Sequence, residues 1–183
     1  MKTIFLVDDN DVNLITAEKA LAWKYNVYTL PSASGLFELL NDIIPDLILL
    51  DIVMPDMNGF EVMEKLKSNE KYANIPIIFL TSRNDTETEA HGFNLGAVDF
   101  ISKPFSPPVL LSRIETHLSI DEIIRDRTDM LQQRTERLQK LKNSMVSVLA
   151  EMLESRDKTT GGHIERTSAY LKLLINEMIK RGL

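Results

Sequence analysis

Leu47-Ile48-Leu49-Leu50-Asp51, running on into Ile52-Val53-Met54-Pro55-Asp56-Met57-Asn58-Gly59, is an apolar run that ends in a carboxylate and opens into a loop punctuated by Pro and Gly. Consecutive apolar residues without alternation read as a strand buried on both faces, the kind found inside parallel sheets. Asp51 then stands where the strand leaves the core, the edge at which open α/β sheets place their chemistry. An aspartate in such a place can also do no more than cap a turn. Other residues decide between the two.

Working outward, residues 1–118 alternate short apolar runs with amphipathic stretches. Thr3–Val7, Val27–Leu30, Leu47–Leu50, Pro76–Leu80 and Val98–Ile101 are too short for typical helices, and several are rich in β-branched residues. Helical spacing appears between them in Leu14/Ala17/Leu21, Leu36/Leu39/Leu40/Ile43 and Val62/Met63/Leu66, and after the last in Leu111/Ile114/Leu118. Asp85 to Leu95 is more polar and predicts a shallowly packed helix. Five strands alternating with five helices predict an α/β domain, a parallel sheet covered on both faces.

The chain has 183 residues, enough for one domain of common size and a smaller appendage. It has no cysteine, which excludes disulfides, thiolate catalysis and cysteine-ligated metals. A formal charge of -6 with no basic cluster argues against a nucleic-acid partner. No apolar run reaches bilayer length, and Met1 to Asp9 lacks the pattern of a secretory signal, so no membrane partner and a cytoplasmic location are expected.

In a parallel sheet, Asp8 and Asp9 after the first strand share an edge with Asp51 after the third. Three crowded carboxylates are costly unless a cation neutralises them, and all-oxygen ligands suit a hard ion such as Mg²⁺. Asp9-Asn10-Asp11 can also be read simply as a helix cap. Thr81 and Lys103 follow the fourth and fifth strands at the same edge. A hydroxyl and an ammonium beside three acids make a place for a phosphoryl group.

Val7-Asp8-Asp9-Asn10, Leu49 to Gly59, Leu80-Thr81-Ser82 and Gly96-Ala97-Val98-Asp99-Phe100-Ile101-Ser102-Lys103-Pro104-Phe105 occur in one order and at family-like intervals. On these motifs residues 1–118 resemble the receiver domain of two-component response regulators. The resemblance implies a flavodoxin-like (βα)5 doubly wound sheet of order 2-1-3-4-5. It implies that Asp51 accepts a phosphoryl group from a histidine kinase or phosphotransfer protein. It implies that Asp9, Asp51 and the Val53 carbonyl hold Mg²⁺, with Asp8 acting through water. Lys103 would contact the acyl phosphate through a loop with a cis Lys103–Pro104 bond, a geometry open to proline. Thr81 would reach the phosphoryl oxygens. Phe100 occupies the aromatic switch position, where Tyr is common in the family; plain strand packing explains a Phe there equally well.

From Ser119 Pro disappears, and Gly is absent until Gly161. Ile124, Leu131, Leu138, Met145 and Met152 recur at heptad spacing, with Ile120, Leu141 and Val148 on the neighbouring seam position. Residues 119–157 therefore predict a coiled-coil linker helix and a parallel homodimer, weak where Arg127 and Arg134 interrupt the seam. A single helix packed on its own domain is the alternative. Gly161-Gly162 ends or bends the helix, and Ile164, Leu171, Ile175 and Met178 form one face of another.

Glu154 to Thr167 resembles the entry segment of HD-GYP domains, metal-dependent phosphodiesterases that hydrolyse cyclic di-GMP. Residues 158–183 would be the beginning of such an output domain. The family's His-Asp pair and Gly-Tyr-Pro signature are not in this sequence. His163 falls near the metal centre by resemblance, and as a lone His it needs no more than a structural role. The expectation is a piece of a longer response regulator in which Asp51 controls a cyclic di-GMP phosphodiesterase. Alternatives are a phosphorylation-controlled adaptor without nucleotide hydrolysis, and an Asp-nucleophile phosphohydrolase. Those hydrolases usually carry a second Asp two residues after the nucleophile, where this chain has Val53.

Overall fold

The computed structural model describes residues 1–82 and 86–156, together with residues 169, 172, 173 and 176, which are helical. Gly161-Gly162, His163 and the apolar face from Ile164 to Met178 lie outside the described residues. The chain divides into two compact units, Met1–Arg125 and Asp126–Leu183.

The strands are β1 (Thr3–Val7), β2 (Asn26–Leu30), β3 (Leu47–Asp51), β4 (Ile77–Thr81) and β5 (Asp99–Ser102), and they alternate with α1 (Asp11–Leu21), α2 (Ala33–Leu39), α3 (Gly59–Lys67), α4 (Thr86–Asn94) and α5 (Pro107–Arg156). All four pairings are parallel, and the order is β2-β1-β3-β4-β5. The central strands are buried throughout, as their unbroken apolar runs require. The bounds of β4 and β5 run one residue further than the apolar runs, because Thr81 and Ser102 still pair across the ladder. β2 is an edge strand and stays partly exposed.

Two cores fill the two faces of the sheet. Ile4, Leu6, Leu49 and Leu80 meet Leu14, Ala17 and Leu21 of α1 and Leu110, Ile114 and Leu118 of α5. Phe5, Val7, Ile48, Leu50 and Phe79 meet Leu36 of α2 and Val62, Met63 and Leu66 of α3. Alternate strand residues thus point to opposite layers, as strand geometry demands. α4 buries only Gly92 among its residues, in line with its polar sequence.

Capping is local. Asn10 accepts the Val12 and Asn13 amides at the start of α1, and Asn58 with Glu61 forms a capping box on α3. α5 continues unbroken beyond the last core contact, and from Ile120 onward its apolar residues Ile123, Ile124, Leu131, Leu138, Leu141, Met145 and Val148 are exposed. No helix among the described residues is long and apolar enough to cross a membrane.

Candidate functional site

Register brings the chemistry together. Val7 lies beside Leu50, Asp51 beside Leu80, and Thr81 beside Ser102. Asp8, Asp51, Thr81 and Lys103 therefore emerge side by side at the carboxyl edge of the sheet. That edge is where the strand order turns from β1 to its two neighbours, the usual ligand position in such sheets.

Asp8 is fully buried and richly bonded. Its carboxylate accepts the Asn10 amide at 3.0 Å, the Asn13 side-chain amide at 3.0 and 3.1 Å, and the Lys103 ammonium at 2.6 Å. Asp51, almost as buried, accepts Lys103 at 2.7 Å and the Val53 amide at 3.3 Å. Asp9 is exposed. One carboxylate oxygen from each of the three acids lies within 4.8 Å of the others. The cap of α1 is Asn10, so neither Asp8 nor Asp9 is used up as a helix cap.

The electrostatics follow from this arrangement. Burial pushes the Asp51 carboxyl above its ordinary range, opposed by its hydrogen bond and attraction to Lys103 and reinforced by the Asp8 charge. One ammonium for two buried acids, with a third close by, leaves an excess of negative charge at the edge. Three oxygen donors so placed fit a hard divalent cation.

The surrounding loop is shaped by Gly59. Its amide donates to the Ile52 carbonyl at 2.8 Å, folding the Met54–Asn58 loop back onto β3, and its missing Cβ leaves room for the Asp51 carbonyl. Val53, whose carbonyl the family resemblance adds to the ligand set, is exposed beside Asp51. Thr81 is buried, and its carbonyl accepts the Lys103 amide at 2.7 Å. The Lys103–Pro104 peptide is cis.

Phe100 is buried. Its ring packs on Phe79 at 5.3 Å and Phe93 at 4.9 Å, and Gly92 of α4 lies over it. Sequence reading did not single out Asn13, Gly59 or Gly92 for roles at or behind the site. Asn13 carried a usable signal, since it faces back to Asp8 one helical turn after the cap. Gly92 carried none, because its role depends on rings from three other elements.

A parallel sheet with an acid cluster and an ammonium at its carboxyl edge defines a receiver-type domain, and residues 4–115 match the response regulator receiver domain; the chain belongs to that family. It is 39% identical over 183 residues to a probable cyclic di-GMP phosphodiesterase of Vibrio cholerae, across 96% of this chain and 42% of that protein. The chain thus spans about two fifths of the length of this relative. Among solved structures it is similar to a CheY-like receiver domain protein from Methanospirillum hungatei, with a TM-score of 0.62, 29% identity, and coverage of 67% of this chain and 97% of that one. It is also similar to the Vibrio cholerae chemotaxis protein CheY4, with a TM-score of 0.61, 27% identity, and coverage of 63% and 98%.

Proposed function

We propose that this chain is the controlling part of a cytoplasmic two-component response regulator, in which Asp51 takes a phosphoryl group from a histidine kinase or phosphotransfer protein. The observation that carries this reading is the Lys103 ammonium held between Asp8 and Asp51 beside the exposed Asp9. An Asp51 oxygen attacks phosphorus as the P–N bond of phosphohistidine breaks. The departing imidazole keeps that bond's electron pair and takes up a proton. A carboxylate nucleophile needs no general base, so positioning and charge neutralisation dominate.

Asp51 has few competing hydrogen bonds, whereas the four contacts to Asp8 hold that acid in place. Asp9, Asp51 and the Val53 carbonyl would hold Mg²⁺, with Asp8 acting through water. When bound, the ion supplies positive charge to the phosphoryl oxygens. Lys103 exchanges its carboxylate contacts for the acyl phosphate, and Thr81 donates its hydroxyl to the same oxygens. Phe100, on the strand whose Ser102 pairs with Thr81, would follow Thr81. Its lack of a hydroxyl restricts any switch here to packing.

The output is proposed from the relative at 39% identity. Residues 1–118 receive the signal, residues 119–157 pair as a parallel homodimer, and residues 158–183 begin a cyclic di-GMP phosphodiesterase of HD-GYP type. The exposed heptad stripe of α5 supports the dimer, since such a face is unsatisfied in water.

Intact mass after incubation with acetyl phosphate and Mg²⁺ tests the reading. The native chain gains one phosphoryl group, and Asp51→Asn gains none. An equal gain in both, or no gain in either, overturns it.

A further inference from the structure

Between Ile124 and Val148 the charges on the seam of α5 are all of one sign. With Ile124, Leu131, Leu138 and Met145 at heptad position a, position d is filled by Arg127, Arg134, Leu141 and Val148, while Arg137 falls at g and Lys142 at e. The acids between the same two residues, Asp126, Asp129 and Glu136, fall at the outer positions c and f. Arg127, Arg134, Arg137 and Lys142 each have only uncharged or basic residues three and four positions away, so no intrahelical pair neutralises them. Arg125, by contrast, is paired with Asp121 at 2.8 Å. All four seam cations are exposed, and among the described residues none makes an ion pair.

In a parallel, in-register dimer this pattern repeats against itself. Each d-position arginine meets its own copy, and Arg137 at g faces Lys142 at e of the opposite helix, which sits five residues further on. The two arginine layers are seven residues apart, roughly 10 Å along the helix. Two helices thus bring four guanidinium groups into about two turns, flanked by further cations and no carboxylate. Guanidinium forks bind phosphate oxygens bidentately.

We infer that the α5 dimer contains a site for a multivalent phosphate-class anion between the Arg127 and Arg134 layers, a site that neither helix has alone. It rests on the dimer proposed above and makes pairing conditional: apolar layers above and below favour association, and the cation layers oppose it until the anion binds. Anion and second copy bind cooperatively, because each is favoured only where the other is present.

Sedimentation of the full chain in magnesium-free buffer, with inorganic pyrophosphate or NaCl at matched ionic strength, separates specific binding from screening. Pyrophosphate is expected to tighten self-association by about tenfold or more over NaCl. The Arg127→Gln/Arg134→Gln variant is expected to dimerise tightly in NaCl and to ignore pyrophosphate. Equal dimerisation of the native chain in both salts overturns the anion site and leaves the dimer standing. A chain that stays monomeric in every condition overturns the dimer and the anion site together, whatever the outcome of Asp51 labelling.

Discussion

Gly59 sits against the main-chain carbonyl of Asp51 so closely that a Cβ there would overlap it, with the Ile52 Cα 2.9 Å away. Both obstacles are backbone atoms, so no side-chain rotation relieves them. Gly59→Ala is expected to cost about 1–3 kcal/mol, the range for overpacking. It should also slow acetyl-phosphate labelling, because the shift is imposed on the residue that carries the nucleophile. Urea unfolding and a labelling time course check both effects; a stable variant that labels at the native rate would refute the steric argument.

Lys103 is the counter-charge of two buried acids, at 2.6 Å from Asp8 and 2.7 Å from Asp51. Removing one partner of such a group leaves uncompensated charge, at a cost of about 3–5 kcal/mol. Lys103→Met should show that loss in EDTA and recover part of it in Mg²⁺, as a second cation takes over neutralisation. Thermal melts of native and variant chains, each with and without Mg²⁺, measure the difference. A variant as stable as the native chain in EDTA would show that the ammonium is not needed to hold the acids together.

Asp51→Asn is expected to stabilise the metal-free chain. Burial, with the Asp8 charge added, raises the Asp51 carboxyl above its ordinary value despite Lys103. The folded state therefore binds this proton more readily than the unfolded one, and ionised Asp51 weakens folding at neutral pH. The sign fixes the pH profile. The advantage of Asn is largest above the raised value and shrinks as pH falls through it, where native Asp51 becomes protonated. Urea titrations across that range in EDTA check this, and a gap that widens on acidification contradicts it.

The strand-exit edge was legible because local signals there point the same way. Leu47 to Leu50 is too short for a helix and is followed by a Pro/Gly loop, which makes it a buried strand, and the shared edge of a parallel sheet follows from βα alternation. That places Asp8, Asp51, Thr81 and Lys103 together from sequence alone. Asp9-Asn10-Asp11 was ambiguous, since all three residues cap helices well; only the observed bonds from Asn10 to the amides of α1 assign the cap. The ends of β3, β4 and β5 lie one residue beyond their apolar runs because ladder pairing, and not hydrophobicity, extends a strand to Asp51, Thr81 and Ser102. The closeness of Gly59 to Asp51 and of Gly92 to Phe100 is set by how distant segments pack, which residue types and spacing do not encode.

Gly92 is the only buried residue of α4, so the helix comes closest to the sheet where a side chain is missing. A Cβ at Gly92 would press on the Phe100 ring and lie 3.1 Å from Phe79 and 3.2 Å from Phe60. These rings already touch one another, Phe60 on Phe79 at 5.0 Å and Phe79 on Phe100 at 5.3 Å, so none has free space to retreat into. Gly92→Ala should therefore displace Phe100 or lift α4, at about 1–3 kcal/mol. Phe100→Leu removes the ring atom that the new methyl would strike, so the cost of Gly92→Ala should fall by about half or more in that background, as contacting residues couple. Four-corner urea unfolding measures the coupling. If the two substitutions are additive, the Gly92–Phe100 contact does not hold α4 on the sheet, and a packing switch through Phe100 would have to reach that helix through Phe93.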